Sequence, residues 1–207
     1  MCAMTIDNNA NYSIYNLGLG LGNSSSTSST SSSRSSRYGG GVESMSTQEL
    51  RAQIDKLLED VPVGSSGKLS FADVMDYRDK LRNEFEAIAK EDLEALGVDT
   101  ERDFSLSYNA TTGKVTVDSS HPDKAIIDKY FEDTPEMTEA FAKIVTLSKL
   151  TATAENKLSP TEFKRQMQTQ AMAWWAEGNG SSDWFSGGGM MLSPAGMSML
   201  AGVNIQV

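Results

Sequence analysis

Apolar residues recur at helical spacing through most of the middle of the chain. Leu50, Ile54, Leu57 and Leu58 fall on one face of a helix that begins near Ser46. Similar stripes follow further capping sequences, and these predict helices that begin near Ser70, Ser120, Thr134 and Ser159. The pattern therefore predicts four to five amphipathic helices.

Between the second and third of these helices, the period of the apolar residues changes to that of a strand. Phe104, Leu106 and Tyr108 alternate with polar residues, and the alternation resumes at Val115 and Val117 after a glycine-containing turn. This arrangement is typical of a β-hairpin. The predicted fold class is mainly α, with one inserted β-hairpin.

The two ends of the chain lack this periodicity. Residues 1–44 form a leader rich in Ser and Gly, which we expect to be disordered because it has too little apolar surface to bury. Residues 178–207 form an apolar tail rich in Gly and Met, which we expect to insert into a cleft of its own domain or of a neighbouring subunit. An acidic helical domain at 45–177 is predicted between them.

Charge is concentrated in the predicted domain. Residues 45–177 hold 16 of the 18 basic and 25 of the 28 acidic residues, a net charge of −9. Such a surface repels phosphate backbones, so we expect no nucleic-acid partner. Cations and basic proteins are its natural electrostatic partners, although a solvated acidic surface that maintains solubility is the commoner interpretation.

The sequence offers few residues for catalysis. His121 and Cys2 are single representatives of their types, which excludes a zinc site built from them and disfavours a catalytic triad. We therefore expect that the protein is not an enzyme. The start of the chain lacks the pattern of a cleaved signal peptide, and no run is long enough to span a membrane. The expected location is the cytoplasm, or outside the cell by export without a cleaved signal.

One short motif occurs twice. Gly67–Asp73 aligns without gaps with Asn156–Glu162, and both copies contain a turn-permitting residue, Lys, Leu, a capping Ser and a closing acid. The motif resembles the second half of an EF-hand loop, as in bacterial calcium-binding-type proteins with a Ser-rich leader. The resemblance implies a degenerate EF-hand pair in which Leu69 and Leu158 pair between the loops.

The same resemblance implies calcium as the cofactor and places its ligands in the second loop. Those ligands are Thr151, Thr153, Glu155, Ser159 and Glu162. Because calcium affinity follows the number of charged ligands, two carboxylates predict weak or no binding. An alternative explanation needs no metal: Ser159 and Glu162 complete a capping box for the helix that follows.

A group of aromatic residues near the end of the predicted domain supplies the other candidate site. It consists of Trp174, Trp175, Trp184 and Phe185. These side chains either close the core or form a patch that binds a protein partner. The expected function is a non-catalytic binding or regulatory module on a degenerate EF-hand-like scaffold. The alternative is an exported structural or accessory protein of a bacterial surface assembly that self-associates.

Overall fold

The computed structural model describes residues 46–117, 120–179 and 184–200. The predicted disorder of residues 1–44 lies outside this part of the chain. Six helices occur within the described residues: α1 (Thr47–Glu59), α2 (Phe71–Ala95), α3 (Lys124–Asp133), α4 (Pro135–Lys157), α5 (Pro160–Phe163) and α6 (Thr169–Asn179). None of these described helices is both long and apolar enough to cross a membrane.

Three of the helices begin at a capping box, as the sequence predicts. In each, the serine hydroxyl accepts a hydrogen bond from the amide of the third helical residue, and the carboxylate of that residue accepts one from the serine amide. The pairs are Ser46 with Glu49, Ser70 with Asp73, and Ser159 with Glu162. These contacts satisfy amides that the first turn of a helix leaves without partners.

The end of α2 also follows from its sequence. Gly97 has a φ of 82°, a conformation that a residue without a Cβ adopts at little cost. The Val98 amide then donates to the Leu93 carbonyl at 3.0 Å, which uses one of the last free carbonyls of the helix. The chain is thereby directed into the first strand.

The sheet is larger than the predicted hairpin. Its four antiparallel strands are β1 (Phe104–Asn109), β2 (Lys114–Val117), β3 (Gly187–Ser193) and β4 (Gly196–Met199), in the order β2-β1-β3-β4. The prediction of β1 and β2 as a hairpin is confirmed, but the sheet also contains a second hairpin from the C-terminal segment. The central strand β1 pairs on one side with β2 and on the other with β3.

Part of the segment predicted as an apolar tail packs against the helices. Met190, Leu192 and Met197 are buried in the same core as the helices. This outcome agrees with the expectation that the apolar segment inserts into its own domain. Residues 180–183 and 201–207 lie outside the described part of the tail.

The core joins the helices to one another through aromatic contacts. The ring of Phe85 on α2 stacks on Phe131 of α3 at 6.2 Å and lies 5.6 Å from Phe141 of α4. All three side chains are buried. Full burial of such a side chain stabilises a fold by about 1.5–3 kcal/mol, so this group is a main contact between the three helices.

Candidate functional site

Two connecting segments pair at one end of the molecule. The Leu69 amide donates to the Met167 carbonyl at 3.1 Å, and the Met167 amide donates back to Leu69 at 2.9 Å. Leu69 precedes α2, and Met167 lies between α5 and α6. The predicted pairing of Leu69 with Leu158 is therefore wrong in its second member. Leu158 instead follows directly on α4, where its amide caps the helix by donating to Ala154.

Three of the five proposed calcium ligands lie in a helix and not in a loop. Thr151, Thr153 and Glu155 are within α4, where successive side chains turn by about 100°, so the three do not point to a common centre. The Thr151 hydroxyl donates to the Leu147 carbonyl at 2.9 Å, and the Thr153 hydroxyl donates to the Lys149 carbonyl at 3.0 Å. These hydroxyls are used within the helix.

The other two proposed ligands, Ser159 and Glu162, form hydrogen bonds with each other. One Glu162 carboxylate oxygen accepts from the Ser159 hydroxyl at 2.7 Å and from the Ser159 amide at 3.0 Å. These two bonds hold the pKa of the Glu162 carboxyl below its ordinary value, and the bond from the Ser159 hydroxyl contributes more than the bond from the amide. The capping alternative accounts for both residues. No group of three His, Cys, Asp or Glu residues in the described ranges is placed to hold a metal ion.

The two copies of the repeated motif also differ in their turn-permitting residue. Gly67 has the positive φ of 63° that a sharp bend requires. Asn156 is helical, and its side-chain amide donates to the Ala152 carbonyl at 2.8 Å. What the copies share is the capping box at their ends, and this accounts for the Ser and the acid in each.

The structure divides the aromatic group. Trp175 is half-buried and meets the Phe71 ring edge-on at 4.7 Å, Trp184 is buried, and Phe185 packs against the core. The core-closing alternative therefore holds for these three. Trp174 differs, because 59% of its surface is exposed.

The exposed indole of Trp174 is held in place by its neighbours. The Arg51 guanidinium of α1 lies 5.6 Å from the centre of the Trp174 ring. Arg51 also forms an ion pair with Glu177, which is one turn along α6 from Trp174. A cation above an indole face attracts it electrostatically. Trp174 is therefore an exposed aromatic side chain in a defined position.

Trp174 lies in a line of exposed residues that carry no charge. We call this line the α6 stripe, and it consists of Gln170, Ala171, Trp174 and Gly178. The exposed face of α2 contrasts with it, since it carries Asp76, Lys80, Glu91 and Glu94. An uncharged helix face centred on an exposed tryptophan is unusual on the surface of so acidic a domain.

Sequence patterns missed a polar cluster between α1, α2 and α4 that is built around a buried lysine. The Lys143 side chain is 2% exposed, and its Nζ lies 2.6 Å from Asp60 Oδ2 and 3.3 Å from the Tyr77 hydroxyl. Burial raises the pKa of Tyr77 to about 12, and the negative charges of Asp60 and Glu84 make smaller contributions in the same direction. The sequence signal of this cluster is Lys143 itself, a lysine that lies among the apolar positions on the buried side of α4. Because the ammonium is enclosed and paired, the cluster clamps the helices together.

His121 likewise has a role within the fold. Its Nδ1 accepts a hydrogen bond from the Asp123 amide at 3.2 Å, and its Nε2 lies 3.2 Å from the Asp99 carbonyl oxygen. The ring is buried against Phe104. These contacts join the segment after α2 to the start of α3, so the imidazole is engaged on both sides.

Comparison with known proteins adds no relative to this description. No protein-family model, curated protein or solved structure matches the chain. The candidate function therefore depends on the surfaces and contacts described above, of which the α6 stripe is the most distinctive.

Proposed function

We propose that the protein is a non-catalytic binding module and that the α6 stripe is the surface that binds its protein partner. The observation that carries this proposal is Trp174, which is 59% exposed and held by Arg51. Tryptophan is enriched among the residues that contribute most to protein interfaces. An indole already fixed in position loses little conformational freedom on binding.

The charges around the stripe support the same proposal. Burial of the α6 stripe against a partner removes no unpaired charge from water, and burial of unpaired charge is the main cost of a charged surface. The ionic groups beside Trp174, Arg51 and Glu177, form an ion pair with each other. Ala171 has a small side chain and Gly178 has none, so these neighbours leave the Trp174 indole exposed. The fitting partner presents an apolar pocket.

The paired segments at Leu69 and Met167 act in this proposal as a scaffold. The reciprocal hydrogen bonds between them hold the segment before α2 against the segment between α5 and α6. The segment between α5 and α6 contains Lys164 and Arg165, whose charges oppose cation binding. We therefore propose weak or no calcium binding.

The second candidate function is that of a structural assembly protein whose copies associate through the same surface. Trp174 is exposed between the small residues Ala171 and Gly178. Two copies related by a two-fold axis could pack their exposed indoles against each other. The absence of charge on the α6 stripe lets two acidic chains approach there. This candidate requires self-association through α6.

Site-specific photo-crosslinking in cells that naturally make the chain tests the proposal. A photoreactive amino acid replaces Gln170 in the α6 stripe or, as a control, Glu91 on the exposed face of α2. We expect one crosslinked protein from position 170 that is absent from position 91. The substitution Trp174→Ala should reduce it by about tenfold or more, as loss of an interface tryptophan does.

The identity of the crosslinked protein separates the two candidates. A different protein supports the binding module, and a second copy crosslinked at α6 supports the assembly protein. The same crosslinks from positions 170 and 91, or crosslinks that Trp174→Ala leaves unchanged, would show that the α6 stripe is not a binding surface. Circular dichroism and thermal unfolding of Trp174→Ala verify that the variant is folded.

A further inference from the structure

Each outer edge of the sheet meets a carboxylate from a neighbouring helix. At the β4 edge, the Met197 amide donates to Glu86 Oε2 of α2 at 3.0 Å. At the β2 edge, the Val117 amide donates to Asp128 Oδ1 of α3 at 2.7 Å. The two edges therefore have the same device, although they belong to different hairpins and different helices.

The pairing register shows that the Met197 amide points out of the sheet. Leu192 lies opposite Met197, and the Leu200 amide donates to the Gly189 carbonyl at 3.2 Å. Ladder hydrogen bonds in an antiparallel pair occur at every second residue pair. The bond at Leu200 therefore places the Leu192–Met197 pair among those without ladder bonds. Without Glu86, the Met197 amide would be a free donor at the edge.

Each carboxylate is itself held by a lysine one turn away. Glu86 pairs with Lys90 at 2.7 Å, and Asp128 pairs with Lys124 at 3.1 Å, in both cases with a spacing of four residues. Lys124 also donates to the Val117 carbonyl, so both polar groups of that edge residue are engaged. The lysine balances the carboxylate charge and fixes its position beside the strand.

We infer that these pairs are edge plugs and that Glu86 keeps β4 closed to strand addition by a second copy of this chain. An open sheet edge is a template for another strand, and side chains that occupy its donors prevent such pairing. At the β4 edge, loss of the Glu86 side chain alone would free the outward-pointing Met197 amide. At the β2 edge, Lys124 still engages the Val117 carbonyl when Asp128 is lost.

The chemistry of β4 makes a second copy the fitting occupant. The strand consists of Gly196, Met197, Ser198 and Met199, so two copies would meet without like charges. Antiparallel β4 strands related by a two-fold axis would pair residue for residue. A cavity of about 380 Å³ lies along this edge, lined by Glu86, Arg82 and residues of β4, and it provides space beside the strand. This surface is separate from the α6 stripe, and the inference does not depend on the proposed function.

The test uses the full chain with Cys2→Ser and Ser198→Cys, which leaves one cysteine, on the edge strand. Glu86→Ala is added to this background. Glu91→Ala is the matched control, because Glu91 is an exposed carboxylate of the same helix without a polar contact among the described residues. Under oxidising conditions, we expect the Glu86→Ala chain to form a disulfide-linked dimer through residue 198. The dimer fraction should exceed that of the control by about tenfold or more, as loss of a hydrogen bond to a charged group implies.

Two further measurements keep the inference falsifiable if Glu86→Ala folds poorly. Glu86→Gln keeps an oxygen that accepts from the Met197 amide, so it should remain as monomeric as the control. In the protein without these substitutions, the Met197 amide should exchange slowly with deuterium although it lies on an edge strand. A folded Glu86→Ala chain that dimerises no more than Glu91→Ala would overturn the inference, and so would rapid exchange of the Met197 amide.

Discussion

The ammonium of Lys143 and the carboxylate of Asp60 lie 2.6 Å apart, and only the lysine is buried. Asp60 follows the last residue of α1, and Lys143 lies in the middle of α4. A buried ammonium is tolerated when a carboxylate and further hydrogen bonds compensate its lost hydration. The position of α1 against α4 therefore depends on an ion pair between the buried ammonium of Lys143 and the partly exposed carboxylate of Asp60.

Loss of Asp60 should destabilise the fold more than loss of both charges together. Asp60→Ala leaves the buried ammonium of Lys143 without its carboxylate, and we expect the free energy of unfolding to fall by about 2 kcal/mol, a value reduced for the partial exposure of Asp60. Lys143→Met removes the charge and fills the space. In urea denaturation, the double variant should be more stable than Asp60→Ala alone, and its loss should be smaller than the sum of the two single losses.

Glu59→Ala is the control for this cycle, because Glu59 is an exposed neighbour of Asp60 at the end of α1. It should change the free energy of unfolding by less than about 0.5 kcal/mol. Additive losses from Asp60→Ala and Lys143→Met would mean that the two residues do not act as a pair.

Tyr77 should make the fold less stable in strongly alkaline solution. Its pKa of about 12 in the folded protein lies above the ordinary value of 10.0. Above pH 10 the unfolded chain releases this proton while the folded protein retains it, so the contribution to stability is complete below pH 10 and is lost as the pH rises toward 12. Chemical denaturation across this range should show a shallower decline for Tyr77→Phe. Equal slopes for the two proteins would contradict the assignment.

Glu162 should behave as a helix cap and not as a calcium ligand. Its pKa is lowered by the bonds from Ser159, so its contribution to stability is present at neutral pH and is lost as acid protonates the carboxylate. Ser159→Ala should cost about 1 kcal/mol, the usual loss for an N-cap. Glu162→Gln keeps a capping side chain and should not change the effect of calcium on the melting temperature. A calcium-dependent rise in melting temperature that Glu162→Gln removes would restore the metal hypothesis.

Gly187 should tolerate no side chain. A Cβ at this position would lie 2.1 Å from the Tyr108 carbonyl oxygen, and the φ of 91° disfavours other residues. We expect Gly187→Ala to lower the free energy of unfolding by at least about 2 kcal/mol. Gly64→Ala is the control, since open space surrounds that position and its φ is not positive. Similar thermal unfolding of the two variants would show that β3 does not pack closely on β1.

The helices and the first hairpin could be predicted because their apolar residues face one core at a regular period. Strand β3 could not, because Gly187, Gly188 and Gly189 carry no side chains from which an alternation could be recognised. Only glycine fits at these three positions, because β1 and α4 lie too close to β3 to leave room for a side chain. The close packing that makes these three residues part of the sheet thus also removes the alternation by which a strand is recognised in a sequence.

The site shows a similar limit. Phe163 and Met167 are spaced as in one continuous helix, but the bridge to Leu69 extends the chain at Met167 and divides that helix into α5 and α6. The sequence likewise cannot distinguish adjacent tryptophans. Trp175 turns inward because Phe71 lies beside it, and Trp174 is left outside as a consequence. Both outcomes depend on partners about a hundred residues away.

The strand order also constrains how the chain is completed during synthesis. The central strand β1 begins at Phe104, but its neighbour β3 begins only at Gly187. Until β3 has been added, the side of β1 that faces away from β2 has no partner strand. Two-stranded ribbons are only marginally stable, and uncovered edges promote aggregation of nascent chains. The hairpin that finishes the sheet thus follows α6 and is made after all six described helices.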